Sequence, residues 1–103
     1  MENGGNNAKT YDLSERTARF GEDIIRFAKR IRVTVVSKPL IDQLVRAATS
    51  VGANYGEAAD AISRKDYHHR VAICRKESKE TKHWLRMLAV ADDTLAEEAR
   101  QCG

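Results

Sequence analysis

The sequence predicts an all-α protein, a single antiparallel bundle with up-down-up-down topology. Apolar residues recur at helical spacing over long runs, the breaks between those runs are short and polar, and the 103 residues include one proline. The hydrophobic fraction of 42% and the charged fraction of 32% are typical of one globular domain. No apolar run reaches 18 residues, so we expect no membrane span. We expect residues 11–103 to form the domain and residues 1–10, which lack the features of a secretory signal, to be a disordered leader.

The first predicted helix begins with a capping box at Asp12 and Glu15 and continues to about Ile31. One face of this helix carries the apolar residues Leu13, Phe20, Ile24, Phe27 and Ile31. The last four are spaced four, three and four residues apart, which is the spacing of a heptad seam. Residues 32–36, RVTVV, are β-branched and could form a short strand. Because no partner strand is evident elsewhere, we interpret them as a frayed helix end and an apolar connector.

The second predicted helix opens at residues 37–39, with proline in its first turn, and continues to about Ile62. Its apolar face carries Leu44, Ala48, Val51, Tyr55, Ala58 and Ile62. Beside it a row of polar residues falls within a sector of about 80°: Gln43, Arg46, Ser50, Asn54 and Glu57. Gly52 and Gly56 each cost about 1 kcal/mol relative to alanine, which predicts close approach by a neighbouring helix. The polar row is either a layer inside the bundle or at a subunit seam, or ordinary polarity at the boundary with solvent.

The third predicted helix starts at Ser63, a capping serine with Asp66 three residues later. Its apolar seam has the most regular spacing in the chain: Tyr67, Val71, Cys74, Ser78, Thr81, Leu85 and Leu88. A flank with Ile73, Trp84, Glu77 and Glu80 suggests a second contact surface. A fourth helix, capped by Asp92 or Asp93, is predicted from Thr94 to about Gln101, which is short for a full bundle partner.

The net charge of +3 is unevenly distributed. Residues 26–38 carry five Lys/Arg and no acid, and residues 64–86 carry eight Lys/Arg against three acids. The candidate nucleic-acid-binding residues are Arg26, Lys29 and Arg30 with His68, Arg75, Lys79, Lys82 and Arg86. The last five fall within about 60° of one another on a helix. Because no base-reading motif is present, binding would use phosphate contacts; the alternatives are a solvated face or a surface that docks an acidic protein.

No catalytic or metal site is predicted. His68 and His69 are adjacent and would point about 100° apart, and His83 lies roughly 20 Å further along the helix axis. Cys74 lies on the apolar seam, which argues against a nucleophile, and both cysteines are expected to be reduced thiols of a cytoplasmic protein. We expect the helical acids Glu57, Glu77 and Glu80 to form ion pairs, and Arg46 shares a flank with Glu57. No phosphate-binding glycine loop or nucleophile elbow occurs, so we expect neither enzyme activity nor a cofactor.

Three motifs together resemble a known family: LVRAATSVGANYGEA, SRKDY and KESKETKHWL. Over residues 11–88 the chain is similar to the large-subunit rRNA intervening-sequence proteins, and also to the accessory variability proteins of diversity-generating retroelements. The resemblance implies an antiparallel four-helix bundle that assembles as a homopentamer. It also implies a nucleic acid and a reverse transcriptase as possible partners.

The resemblance implies that the residues matching the family's signature have a structural and not a catalytic role. The second-helix matches are Arg46, Ser50, Asn54, Tyr55 and Glu57, and the third-helix matches are Glu77, Glu80, Thr81, Trp84 and Leu85. After Leu88 the chain departs from the family, which has a long apolar fourth helix where this sequence is short and acidic. The alternative function is a protein-interaction scaffold with no nucleic-acid role.

Overall fold

A computed structural model describes residues 4–92, with their side chains from residue 12 onward. Three helices and no strand occur in this part of the chain: α1 (Gly4–Lys29), α2 (Ser37–Ala59) and α3 (Arg64–Ala91). The all-α prediction is therefore confirmed, and residues 32–36 form a connector and not a strand. The helix predicted over residues 94–101 lies outside the described residues.

Helix α1 begins at Gly4, seven residues before the predicted start at Tyr11. The acids that were expected to cap the helix lie within it. Asp12 lies 3.4 Å from Nη1 of Arg16, and Glu15 lies 3.1 Å from Nε of Arg19. Both are pairs of residues four apart, which stabilise the helix interior, so the capping interpretation of these acids was wrong.

Helix α2 ends at Ala59, three residues before the predicted end at Ile62. The N–H groups of Asp60 and Ala61 donate to carbonyls three residues back, at 3.2 and 3.1 Å, which tightens and closes the last turn. Ile62 is consequently 98% exposed and does not belong to the apolar face. The predicted start of α3 is confirmed, because the Ser63 hydroxyl accepts a hydrogen bond from the N–H of Asp66 at 3.0 Å.

Helix α2 lies at the centre and packs against both α1 and α3, which contact each other much less. Its inward face is small or apolar, and Leu44, Ala47 and Ala48 are fully buried. The main core cluster joins the C-terminal parts of α1 and α3 across α2 and consists of Ile24, Phe27, Ile31, Leu44, Ala48, Leu85 and Leu88. The heptad seams of helices 1 and 3 therefore face inward, as their spacing predicts.

A polar seam joins α2 to α3 alongside this core. Nη1 of Arg46 donates to both carboxylate oxygens of Glu77 at 3.2 and 3.3 Å, and Nη2 donates to Oε1 of Glu80 at 2.6 Å. The Glu77 side chain is only 10% exposed, whereas that of Arg46 is 45% exposed. Partial burial lowers the pKa of Arg46, but the hydrogen bond to Glu80 and the charge of Glu77 outweigh that effect and raise it overall. Arg46 thus neutralises a buried carboxylate on the neighbouring helix.

In the second half of the seam, the cation comes from α3 and the carboxylate comes from α2. Nη2 of Arg70 on α3 lies 2.9 Å from Glu57 on α2, and its Nη1 donates to Oδ1 of Asn54 at 3.4 Å. The amide of Asn54 in turn donates to the carbonyl of Ser50 at 2.9 Å. The expectation of ion pairs is confirmed for all three glutamates, although Arg46 pairs with α3 and not with its flank-mate Glu57.

We expect Arg46→Met to lower the free energy of unfolding by roughly 2 kcal/mol. This value lies between the losses typical of exposed and of buried ion pairs, because Glu77 is buried and Arg46 is only half-buried. Arg70→Met is the matched control and should cost well under 1 kcal/mol, since its partner Glu57 is 62% exposed. Urea unfolding at neutral pH measures both. Adding Glu77→Met to Arg46→Met should recover part of the loss, and equal small losses in the two single variants would contradict the role given to Glu77.

Candidate nucleic-acid interface

Helix α3 presents a row of basic side chains along one solvent-exposed flank. Arg75, Lys79, Lys82 and Arg86 are all exposed, at spacings of four, three and four residues. Within residues 12–92, none of these four lies within ion-pair distance of a carboxylate. At about 1.5 Å per residue the four cations extend over roughly 16 Å of the helix axis. We call these four residues the α3 basic row.

His68 continues the direction of the row near the start of α3 and is also exposed. Its ring lies beside that of Tyr67, with the two centroids 5.8 Å apart. His68 is one helical turn or more from Arg75, so it extends the row without closing it into a pocket.

The basic cluster at the end of α1 differs from the α3 basic row in its pairing. Arg26 lies 3.1 Å from Asp23 and 3.8 Å from Glu22, so its charge is partly satisfied within α1. The guanidinium of Arg30 lies 5.9 Å from the centre of the Phe27 ring, and Lys29 is exposed. Leu85 and Leu88 pack with Ile24, Phe27 and Ile31, so the α1 cluster and Arg86 occupy the same end of the bundle.

A groove of about 390 Å³ runs between α1 and α3. Its walls are formed mainly by Leu13 and Phe20 of α1 and Leu85 of α3, with Val51 of α2 below. Arg16 and Lys82 also line the groove, one from each wall. The groove follows from the packing order, because α1 and α3 both rest on α2 and touch each other little.

The two glycines of α2 have different surroundings. A Cβ on Gly52 would lie 3.3 Å from the carbonyl oxygen of Thr17, so this glycine permits the close crossing of α1 and α2. A Cβ on Gly56 would meet no atom of the described residues within 4 Å. The predicted close approach is therefore confirmed at Gly52, while no contact in the described part of the chain accounts for Gly56.

Burial affects two side chains of the described chain that could take part in acid–base or nucleophilic chemistry, Cys74 and Tyr55. Cys74 is half-buried, and its thiol donates to the carbonyl of Val51 at 3.4 Å. Burial raises the pKa of this thiol, which keeps it protonated at neutral pH. The buried Tyr55 likewise has a raised pKa because of desolvation, with a smaller contribution from Tyr67. Among residues 12–92 no group of three or more His, Cys, Asp or Glu side chains is arranged to hold a metal ion.

Sequence reasoning missed Arg70 and misread the flank that contains Trp84. Arg70 is the partner of Glu57 and Asn54, and only its helical register relative to α2 would have indicated this. Trp84 packs against the core cluster of the same chain, so this part of the flank is largely internal. Its indole N–H is buried and has no hydrogen-bond partner among the described residues.

Within residues 4–92, no helix is long and apolar enough to span a bilayer. A comparison with the curated proteins found no match.

Among solved structures, the chain is similar to a crystallised protein of unknown function from the S23 ribosomal protein family of Bacteroides thetaiotaomicron. The two are 28% identical and superimpose with a TM-score of 0.75, over 87% of this chain and 83% of the other. The family model of the 23S rRNA-intervening sequence protein matches residues 9–101, which is nearly the whole sequence. Because this match covers nearly the whole sequence, the chain belongs to the 23S rRNA-intervening sequence protein family.

Proposed function

We propose that this protein is a non-catalytic, homo-oligomeric helical bundle that binds RNA or DNA through phosphate contacts. The observation that carries the proposal is the α3 basic row, four exposed cations without a carboxylate partner among residues 12–92. Most other arginines with described side chains pair with an acid, as Arg16, Arg19, Arg26, Arg46 and Arg70 do. A row of unpaired cations attracts a polyanion strongly, because binding releases the counterions condensed on it.

The geometry of the row favours contacts to a phosphate backbone over contacts to bases. Its cations lie along a straight line on the convex outside of one helix, and the flexible lysine and arginine side chains can follow the spacing of phosphates. The row carries no aromatic side chain on which a base could stack. The family's association with 23S rRNA makes an RNA hairpin the natural first probe, with a DNA duplex of equal length beside it.

Homo-oligomerisation is the second part of the proposal, and the family resemblance suggests a pentamer. Gly56 supports it, because the last turn of α2 carries a glycine that has no packing role in the described chain. Ala53 and Ala59 flank it and are exposed, so this part of α2 is smooth enough to admit a helix from a second copy. A ring of such copies would also repeat the α3 basic row around the assembly.

A complete four-helix bundle is the third part. We propose that the fourth helix, which the sequence predicts over residues 94–101 outside the described part of the chain, completes the bundle at the groove between α1 and α3. The family match also continues to residue 101, beyond the end of α3 at Ala91.

Reversing the α3 basic row with Lys79→Glu, Lys82→Glu and Arg86→Glu should abolish RNA binding measured by fluorescence anisotropy at low salt. Neutralising the same three residues to Gln should reduce the slope of log affinity against log salt by about 3, because three phosphates are then no longer neutralised. Arg16→Gln, Arg19→Gln and Arg70→Gln together form the matched control. This control removes the same charge from residues that already pair with acids, so it should change the slope much less.

Binding that persists after the triple reversal, or no binding at low salt, would contradict the proposal. A protein partner retained after nuclease treatment would favour the scaffold.

Gly56→Gln should lower the mass of the assembly measured by light scattering, because a long side chain cannot fit where two helices approach closely. Ala72→Gln on the exposed face of α3 is the control and should leave the mass unchanged. If Gly56 faces only solvent, Gly56→Ala should raise the stability by about 1 kcal/mol with no change in mass. That result, or a wild-type monomer, would remove Gly56 from the interface.

If a fourth helix completes the bundle, Leu95→Asn should lower the free energy of unfolding by roughly 2 kcal/mol, because the bundle would then bury this apolar side chain. Glu98→Gln is the control and should cost well under 1 kcal/mol, as expected for a screened surface charge. Thermal unfolding followed by circular dichroism measures both variants. Equal stability of Leu95→Asn and the wild type would argue against a fourth helix in the groove.

A further inference from the structure

The connector between α1 and α2 holds three valines out from one end of the molecule. Val33, Val35 and Val36 are 67%, 94% and 62% exposed. We call residues 30–38 the valine tip. Aliphatic residues rarely stay this exposed in a cluster unless the surface serves an interaction, because their exposure to water is unfavourable.

The valine tip is fixed by its own hydrogen bonds. The Ser37 hydroxyl accepts from the N–H of Thr34 at 2.8 Å and donates to the carbonyl of Arg32 at 2.7 Å. The Thr34 hydroxyl accepts from the N–H of Ser37 at 3.0 Å, and the N–H of Lys38 donates to the carbonyl of Thr34 at 2.9 Å. Ile31 before the valines and Ser37 after them are both 4% exposed. These hydrogen bonds hold the loop in one conformation, in which the three valine side chains are exposed.

Cations surround the three valines. Lys29, Arg30, Arg32 and Lys38 all lie within the loop or at the helix ends beside it, and the sequence contains no acid between Asp23 and Asp42. Lys38 does pair with Asp42 at 3.3 Å, but both side chains are about two-thirds exposed, so solvent screens this pair. The surface around the valines is thus locally positive.

We propose that the valine tip docks on an anionic lipid surface, with the three valines entering the interfacial region and the cations contacting the headgroups. Shallow insertion of aliphatic side chains together with basic residues at the headgroup level is the chemistry of peripheral membrane binding. Such docking requires no membrane-spanning helix. It uses a different part of the chain from the α3 basic row, and it stands whether or not that row binds nucleic acid.

Two other partners fit the valine tip less well. Phosphates and sugars give aliphatic side chains no favourable contact, and surfaces that bind single strands use aromatic residues, which the exposed part of the tip lacks. A second copy docked tip to tip would bring like charges together around the valines, which is unfavourable, and a copy docked through another of its surfaces would change the assembly mass of the triple valine variant.

Vesicle flotation of the full chain tests the proposal. The wild type should float with vesicles of equal parts phosphatidylcholine and phosphatidylglycerol and should stay in solution with phosphatidylcholine alone. Val33→Ser, Val35→Ser and Val36→Ser combined should lose flotation while melting like the wild type by circular dichroism, because the three side chains are exposed. Lys29→Gln with Arg32→Gln should weaken binding by about 25-fold, roughly fivefold for each cation removed from the surface.

Two controls separate the tip from other exposed features. Ile62→Ser removes an equally exposed aliphatic side chain from the connector between α2 and α3 and should float like the wild type. Lys79→Gln, Lys82→Gln and Arg86→Gln neutralise the α3 basic row and should also float. The proposal is overturned if the wild type does not float, if the triple valine variant still does, or if that variant changes only the assembly mass or the affinity for RNA.

Discussion

The buried carboxylate of Glu77 is the constraint on which the arrangement of α2 and α3 depends. A carboxylate that is 10% exposed between two helices is tolerated only with a cation beside it, and Arg46 supplies that cation with two hydrogen bonds. The fork of the guanidinium also reaches Glu80, one turn along α3, so it sets both the rotation and the axial register of that helix. Arg70 and Glu57 repeat the pairing near the other end of the seam. Because these two polar contacts lie at separate points along the seam, α3 can pack on α2 in one axial register only.

The contact between α1 and α2 is specified differently, by the absence of side chains. A Cβ on Gly52 would press on the backbone of Thr17, and a Cβ on Gly21 would lie 3.5 Å from the backbone of Ala48 and Thr49. The two helices therefore cross at nearly backbone distance. Helices α1 and α3 both pack on α2 and contact each other little, and the groove lies between them.

The sequence was sufficient to predict what depends on periodicity. The seams of α1 and α3 and the inward face of α2 came directly from apolar spacing, and the start of α3 came from one serine with an acid three residues later. The end of α2 could not be predicted from the apolar spacing. Ile62 continues the apolar pattern, although the hydrogen bonds of Asp60 and Ala61 have already closed the last turn. The partners of Arg46 and Arg70 also escaped prediction, since contacts between helices depend on a register that no single helix encodes. The α3 basic row was predictable as a stripe, but its lack of acidic partners required the structure.

The two sets of charges on α3 have one physical explanation. Residues 64–86 hold eight Lys/Arg and three acids, and two of those acids, Glu77 and Glu80, face α2 and pair with Arg46. Because the seam directs these two carboxylates inward, they cannot neutralise the cations on the opposite face of the same helix. Arg75, Lys79, Lys82 and Arg86 therefore remain without acidic partners in the described chain as a consequence of how α3 is held. The interaction that fixes the packing of α3 on α2 is thus also the one that leaves the outer face of α3 positive.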